Sequence, residues 1–227
     1  YAYFPNFLDV PDSLDLPSTF TSQFEKQGTS SEQLAGGSES FSFAQVKNTF
    51  VTGGHEFRKP QMFDLGTSGF TKNADVNNLD TNFVEVTYDI THSKNSGRIY
   101  LADSVGNAAN VTVLEVDDSQ EVIRIEQFQA TGITYPNYVQ KITVSDDDKY
   151  LLLTAKTGGG VSGNSGQAFV KNLNTSEESL ITAVDDERFF NAQIYRNYAY
   201  ICSSDKILEL NHLVEFLVKK NRRINVY

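Results

Sequence analysis

The sequence holds one cysteine, Cys202, and no tryptophan. A single cysteine excludes an internal disulfide framework and any metal site built from several thiolates. Without tryptophan there is no Trp-Asp dipeptide, and Gly-His occurs once, at Gly54-His55, so a WD-repeat array is disfavoured. No apolar run approaches the roughly 18 residues that a spanning helix needs, so no direct membrane span is expected. Basic residues are scarce, 19 Lys and Arg against 29 Asp and Glu, for a net charge of −10. That balance lacks the basic footprint of a nucleic-acid partner.

Several catalytic signatures are missing too. G-x-S-x-G, the serine-hydrolase elbow, does not occur. His55-Glu56 opens like a zinc-protease helix, but position 59 is Lys, so the second ligand is absent. Gly158-Gly159-Gly160-Val161-Ser162-Gly163 spells G-x-G-x-x-G, yet it joins two strand-like strings and offers no helix N-terminus to a phosphate. The three histidines, His55, His92 and His212, fall in different units of the repeat described next.

What is present is strand-forming. Hydrophobic residues make up 39% of the 227 residues, enough for a sizeable core, and 16 Phe and 11 Tyr supply most of the aromatic surface. Period-3.6 patterning is sparse, and even Ile207–Val218, the best helical stretch, alternates at Leu208-Glu209-Leu210. The fold class expected is all-β.

Short apolar strings with a central aromatic recur. Tyr1-Ala2-Tyr3-Phe4 is nearly restated as Tyr198-Ala199-Tyr200-Ile201, with Thr49-Phe50-Val51, Ile99-Tyr100-Leu101 and Lys149-Tyr150-Leu151 between them. The aromatics Tyr3, Phe50, Tyr100, Tyr150 and Tyr200 are spaced by 47, 50, 50 and 50 residues. An apolar-acid-apolar string follows in Leu8-Asp9-Val10, Phe63-Asp64-Leu65, Leu114-Glu115-Val116 and Leu208-Glu209-Leu210, with Lys171-Asn172-Leu173 a weaker member. A further string precedes each aromatic except Tyr3, and an outer one follows in Glu121–Ile125 and Leu213–Leu217. Four strands in about 50 residues describe a β-propeller blade, which stacks on its neighbours because one small sheet cannot bury both faces alone. The expectation is a single β-propeller domain or fragment of about four complete blades and a partial one, possible as part of a larger ring. The partial blade covers 1–39 and the others about 40–82, 83–134, 135–187 and 188–227. Tyr1–Phe4 starts in mid-blade, which points to a piece of a longer array, and the basic tail Lys219–Arg223 suits a solvated exit.

Ser145-Asp146-Asp147-Asp148-Lys149, Asn95-Ser96-Gly97 and Arg196-Asn197 carry the residues that close hairpins. The three aspartates lack the Gly and distal Glu of a calcium loop, so a solvated tip is the better reading. Polar, glycine-rich stretches at 11–40 and 66–82 read as long connections between blades or surface loops, and 157–166 reads as a flexible hairpin tip on one rim, with a recognition loop the alternative.

Gln193–Ile201 followed by Lys206–Leu210 resembles the LVIVD-type propeller repeat. Ile142–Leu151 is similar to the YVTN and lactonase-like propellers, with Asp146 and Asp148 where that family carries Pro and Gly. The resemblance covers about residues 40–218 and implies a fold superfamily whose members include binding scaffolds, hydrolases and oxidoreductases. A lactonase-like hydrolase would need carboxylates from several inner strands around one cation. Asp89 is the one acid in an inner-strand string, with Gln45, Gln140 and Gln193 in related places. The expected function is therefore a non-enzymatic interaction or scaffold module, contacting other protein chains or missing segments of the same protein. The alternative is a metal-dependent lactonase-like hydrolase or oxidoreductase. No catalytic or cofactor-binding residue is named. No cofactor is expected, with calcium the alternative; Asp89 is the candidate metal ligand, and Asn110 and Asn174 head glycosylation sequons that point to an extracellular or cell-surface setting.

Overall fold

The computed structural model describes residues 40–54, 61–66, 69–72, 86–105, 108–119, 122–133, 139–155, 166–182, 188–196, 198–203, 207–210 and 225–226. Every regular element among them is a strand. The strings at Tyr1–Phe4, Leu8–Val10 and Leu213–Leu217, His55, His212 and loop residues 157–165 lie outside the described residues.

The strands form four antiparallel four-stranded sheets. The first sheet holds β1 (Ser40–Val46), β2 (Thr49–Gly54), β3 (Gln61–Gly66) and β4 (Gly69–Lys72). The second holds β5 (Val86–His92), β6 (Ile99–Val105), β7 (Ala108–Val116) and β8 (Val122–Gln129). The third holds β9 (Val139–Val144), β10 (Tyr150–Ala155), β11 (Gln167–Asn172) and β12 (Glu178–Thr182). The fourth holds β13 (Phe189–Tyr195), β14 (Tyr198–Ser203), β15 (Ile207–Leu210) and β16 (Asn225–Val226). Spatial order follows chain order in each, so each sheet is a meander.

The sheets stack face to face. First strands adjoin one another, β1 on β5, β5 on β9 and β9 on β13. Alternation then divides each second strand between two neighbours. Leu151 and Leu153 join Tyr100, Val111 and Val113 in the cluster between the second and third sheets. Tyr150 and Leu152 join Ala192, Ala199 and Ile201 between the third and fourth. Ile99 and Leu101 meet Ala44, Val51 and Met62 between the first and second. Strand β10, Tyr-Leu-Leu-Leu-Thr-Ala, is buried at every position because it is covered from both sides. Tyr100, Tyr150 and Tyr200 all lie in second strands and on the face turned to the following sheet.

Every first strand carries a β-bulge at nearly the same place. Register breaks between Ser40 and Ser42, Thr87 and Asp89, Val139 and Lys141, and Phe189 and Asn191. The extra residues are Phe41, Tyr88, Gln140 and Phe190. A bulge bends its strand and steepens the local twist, and the residue after it returns to the face turned toward the following sheet. Those residues are Asp89, Lys141 and Asn191 in the second, third and fourth sheets.

Three expectations need correcting. Phe50 is not in phase with the later tyrosines: Val51 packs against the second sheet, so alternation puts Phe50 on the opposite face. The same two-residue separation closes both hairpins, Val46 pairing with Thr49 and Tyr195 with Tyr198, and Phe50 is the second residue of its strand where Tyr200 is the third. The outer partner of β15 is Asn225–Val226, where Leu208 pairs with Val226, rather than the string at Leu213–Leu217, and the chain beyond Arg223 rejoins the sheet instead of leaving it. Gln140 is itself a bulge residue, whereas Gln45 and Gln193 sit nearer the hairpin ends, so the three glutamines do not share one ring position.

Tyr100→Ala is expected to lower stability by about 3–5 kcal/mol in chemical denaturation, since a fully packed aromatic is removed from between two sheets. A Cβ on Gly166 would stand 2.5 Å from the Phe189 nitrogen and 2.8 Å from its ring. Gly166→Ala should therefore cost about 1–3 kcal/mol by overpacking, measured by the same denaturation.

Candidate functional site

The densest polar cluster joins the second and third sheets. Asp89 and Lys141 stand at the same post-bulge position of adjacent first strands. Asp89 Oδ2 accepts the Ile142 backbone N–H at 2.8 Å and pairs with Lys141 Nζ at 3.1 Å. The second contact of the ammonium, to Oδ1, is 3.4 Å. Burial pushes the Asp89 carboxyl up, and the Lys141 charge and the Ile142 N–H pull partly back. Strand β9 has β10 on one side only, so its other edge would leave N–H groups without a ladder partner. Asp89 satisfies one of them.

A second clasp sits on the hairpin rim. In the third-sheet hairpin, Ser145 Oγ accepts the N–H groups of Lys149 and Tyr150 at 3.1 and 2.9 Å and donates to Asp147 Oδ1 at 2.8 Å. Asp147 also pairs with Lys149 at 2.9 Å. Burial is the largest single influence on its carboxyl and raises it, but the bonds from Lys149 and Ser145 and the Lys149 charge together outweigh burial and leave the carboxyl lowered. Asp148 takes a left-handed φ of 57°. Its Oδ2 accepts the Ser96 N–H of the neighbouring hairpin at 3.1 Å, and Asn95 Nδ2 donates to the Asp146 carbonyl. The aspartate run is thus partly a dock between hairpins rather than a wholly solvated tip. Ser93 plays the part of Ser145 in its own hairpin, accepting from the N–H groups of Asn95 and Ser96.

The same logic repeats toward the outer edge of this pair of sheets and between the first and second sheets. Lys171, buried on β11, pairs with Glu178 at 2.6 Å and holds its ammonium 4.6 Å above the Phe128 ring of the second sheet. Lys47 in the first-sheet turn donates to the Val116 and Asp117 carbonyls at 3.2 and 2.8 Å.

Asp103 on β6 was not singled out from the sequence. It is fully buried on the face turned to the first sheet, beside Leu101. Thr87 Oγ1 donates to its Oδ1 at 3.0 Å, while Oδ2 has no hydrogen-bond partner. Burial pushes its carboxyl up to about 7, with the Thr112 and Thr87 hydroxyls offsetting part of the effect. The signal was legible in Leu101-Ala102-Asp103: alternation places Asp103 on the same side as Leu101.

No group of three or more His, Cys, Asp or Glu that could hold a metal converges among the described residues. The Lys141 ammonium stands where a cation would have to sit beside Asp89. His92 ends β5, half-buried, and burial followed by the Lys94 charge lowers its pKa. Cys202 is exposed and free. The sequons separate clearly. Asn110 lies within β7, its Nδ2 bonded to the Ala108 carbonyl at 3.0 Å, with Val111 and Thr112 fully buried. Asn174 sits on the exposed β11–β12 turn.

No protein-family model matches the chain, and no curated protein sequence matches it. Solved structures do. Hydrazine synthase from Kuenenia stuttgartiensis superposes with a TM-score of 0.55 at 9% identity, over 78% of this chain and 53% of that one. A protein from Lactobacillus plantarum gives 0.50 at 8%, over 79% and 53%. The extracellular domain of the hybrid two-component system BT4673 from B. thetaiotaomicron gives 0.52 at 10%, over 84% and 22%. The fold is β-propeller-like. The chain spans about half, or less, of the length of these structures, and at such identities the likeness concerns the fold alone.

Asp103 binds a proton in the folded state up to about pH 7, whereas an unfolded aspartate releases it near 3.8. Between those values the folded state holds more protons, so stability falls as pH rises from about 4 to 7 and levels off above, by up to about 1.4 kcal/mol per pH unit. Asp103→Asn should flatten that slope and raise the melting temperature at pH 8 relative to the parent. Asp89→Ala strands the Ile142 N–H and the Lys141 charge and should cost about 1–3 kcal/mol. Asp89→Asn keeps an acceptor for Ile142 and should cost less, as urea titration would show.

Proposed function

We propose that the chain is a non-enzymatic propeller-like interaction module within a larger assembly, making its partner contacts through the exposed face of the fourth sheet and the rim loops. The fold is neutral on this point, since the similar structures include both a synthase and the extracellular domain of a sensor. One observation carries the reading. The face turned to the following sheet is packed in the first three sheets, and among the described residues no further sheet covers it in the fourth. There Gln193 pairs with Tyr200, Tyr195 with Tyr198 and Cys202 with Ile207, placing these side chains together on the face away from the third sheet. Tyr195 is 54% exposed and Ile207 50%, while Tyr100, on the matching face of the second sheet, is 2% exposed. Aromatic and aliphatic side chains in one patch, with Glu209 and Arg196 as its charged neighbours among the described residues, suit a protein surface as partner.

The acids argue the same way. Asp89, Asp147 and Asp148 are spent on contacts that hold sheets and hairpins together, which leaves the hydrolase alternative without a carboxylate from the described inner strands.

Hydroxyl-radical footprinting of the native assembly and of the purified chain would test the proposal. Tyr195, Tyr198 and Ile207 are expected to be labelled several-fold less in the assembly. Equal labelling, or lactone hydrolysis stimulated by calcium and lost in Asp89→Asn, would overturn it.

A further inference from the structure

The two sequons share a sequence rule and differ in everything structural. Asn110-Val111-Thr112 runs through the middle of β7, a strand hydrogen-bonded on both sides. Thr112 accepts from Gln127 at 3.1 Å and is fully buried, so its hydroxyl is not open to an enzyme. A sugar on Asn110 would have to displace the contact from Asn110 Nδ2 to the Ala108 carbonyl. The bulk would fall beside Asp103, which pairs with Asn110 across the ladder.

Asn174-Thr175-Ser176 forms the tip between β11 and β12, where residues 174 to 178 are all exposed. The tip is open yet ordered. Asn172 Oδ1 accepts the N–H groups of Asn174 and Thr175 at 2.9 and 3.2 Å, and the Asn172 N–H donates to the Glu177 carbonyl at 2.8 Å. The Leu173 N–H donates to the Lys149 carbonyl at 2.7 Å, which ties the turn to the neighbouring hairpin. Ser176 takes a left-handed φ of 61°, which bends the chain so that the sequon protrudes. The bonds fixing the turn use Asn172, Leu173, the backbone and the Thr175 hydroxyl, which donates to the Glu177 carboxylate at 3.0 Å, and the Asn174 side-chain amide takes no part in them.

We infer that Asn174 is the N-glycosylated asparagine of this chain and that Asn110 is not. The amide nitrogen of Asn174 forms a bond to C1 of an oligosaccharide carried on a lipid pyrophosphate. The C1–oxygen bond to the pyrophosphate breaks, the amide gives up one proton, and the lipid pyrophosphate leaves. The glycan would stand beside β12, the outer edge of the third sheet, where Glu178 and the 39%-exposed Leu180 border unpaired backbone groups. A bulky hydrophilic chain there blocks edge-to-edge pairing with another sheet. It lies on the hairpin rim, so the open face of the fourth sheet stays clear.

The test is secretion of the full chain from cultured eukaryotic cells, followed by intact-mass measurement and peptide mapping after an endoglycosidase that leaves Asp at the glycan site. The expected result is a glycan on the peptide carrying Asn174 in most molecules, unchanged in Asn110→Gln and absent from Asn174→Gln. Ser176→Gly is a second variant: it removes the sequon hydroxyl, suits the left-handed φ, and should also abolish the modification. A folded, secreted chain without glycan would overturn the inference, and so would a glycan mapped to Asn110 in folded protein. Neither result bears on the partner surface of the fourth sheet, whose footprint is read separately.

Discussion

Face-to-face burial of one small sheet against the next is the constraint on which this structure depends. A four-stranded meander of about 35 to 45 residues cannot close a core by itself. Its inner and outer strands must share two covered faces, and the covering sheet must come from the adjacent unit. The clusters between sheets show this directly, because each mixes residues from two sheets. Apolar surface supplies the attraction, and the polar clasps fix the register. Between the second and third sheets the clasps lie on three sides of an apolar middle: Asp89–Lys141 at the inner strands, Asn95 and Ser96 against the aspartate run at the hairpin rim, and Lys171 over Phe128 toward the outer edge.

That division of labour explains why the acidic residues serve as structural parts. A carboxylate near a bare strand edge is a ready acceptor for an orphan N–H, and Asp89 serves Ile142 in that way. Asp103 is the opposite case. It occupies a position that Leu153 fills on the corresponding face of the third sheet, and only one of its oxygens is satisfied. Placing an acid there costs stability at neutral pH, and the fold tolerates it because the remaining contact is well packed.

The all-β class and the strands were legible in the sequence because their signals are local. Period-two alternation, an aromatic every 50 residues and turn residues such as Asn95-Ser96-Gly97 are written into short strings. The bulges were not legible, since a bulge is a mismatch between two strands and leaves no mark on either alone. They explain why Asp89 and Lys141 match although 52 residues separate them. The candidate ligand Asp89 was found as the lone inner-strand acid, but its partner was not, because Lys141 comes from the next sheet. Asp103 was missed for a different reason: attention fell on the strand that precedes each aromatic and not on the aromatic strand itself.

The register break shared by β1, β5, β9 and β13 has a consequence for how such a chain can vary. A strand that already carries one unpaired residue has a place to absorb a gained or lost residue without flipping every side chain downstream. The intervals between matching positions here are uneven, yet in the second, third and fourth sheets the polar residue after the break still points the same way. The bulge acts as an expansion joint: it lets units of unequal length share one inner lining, and it confines the damage of an insertion to the few residues around it.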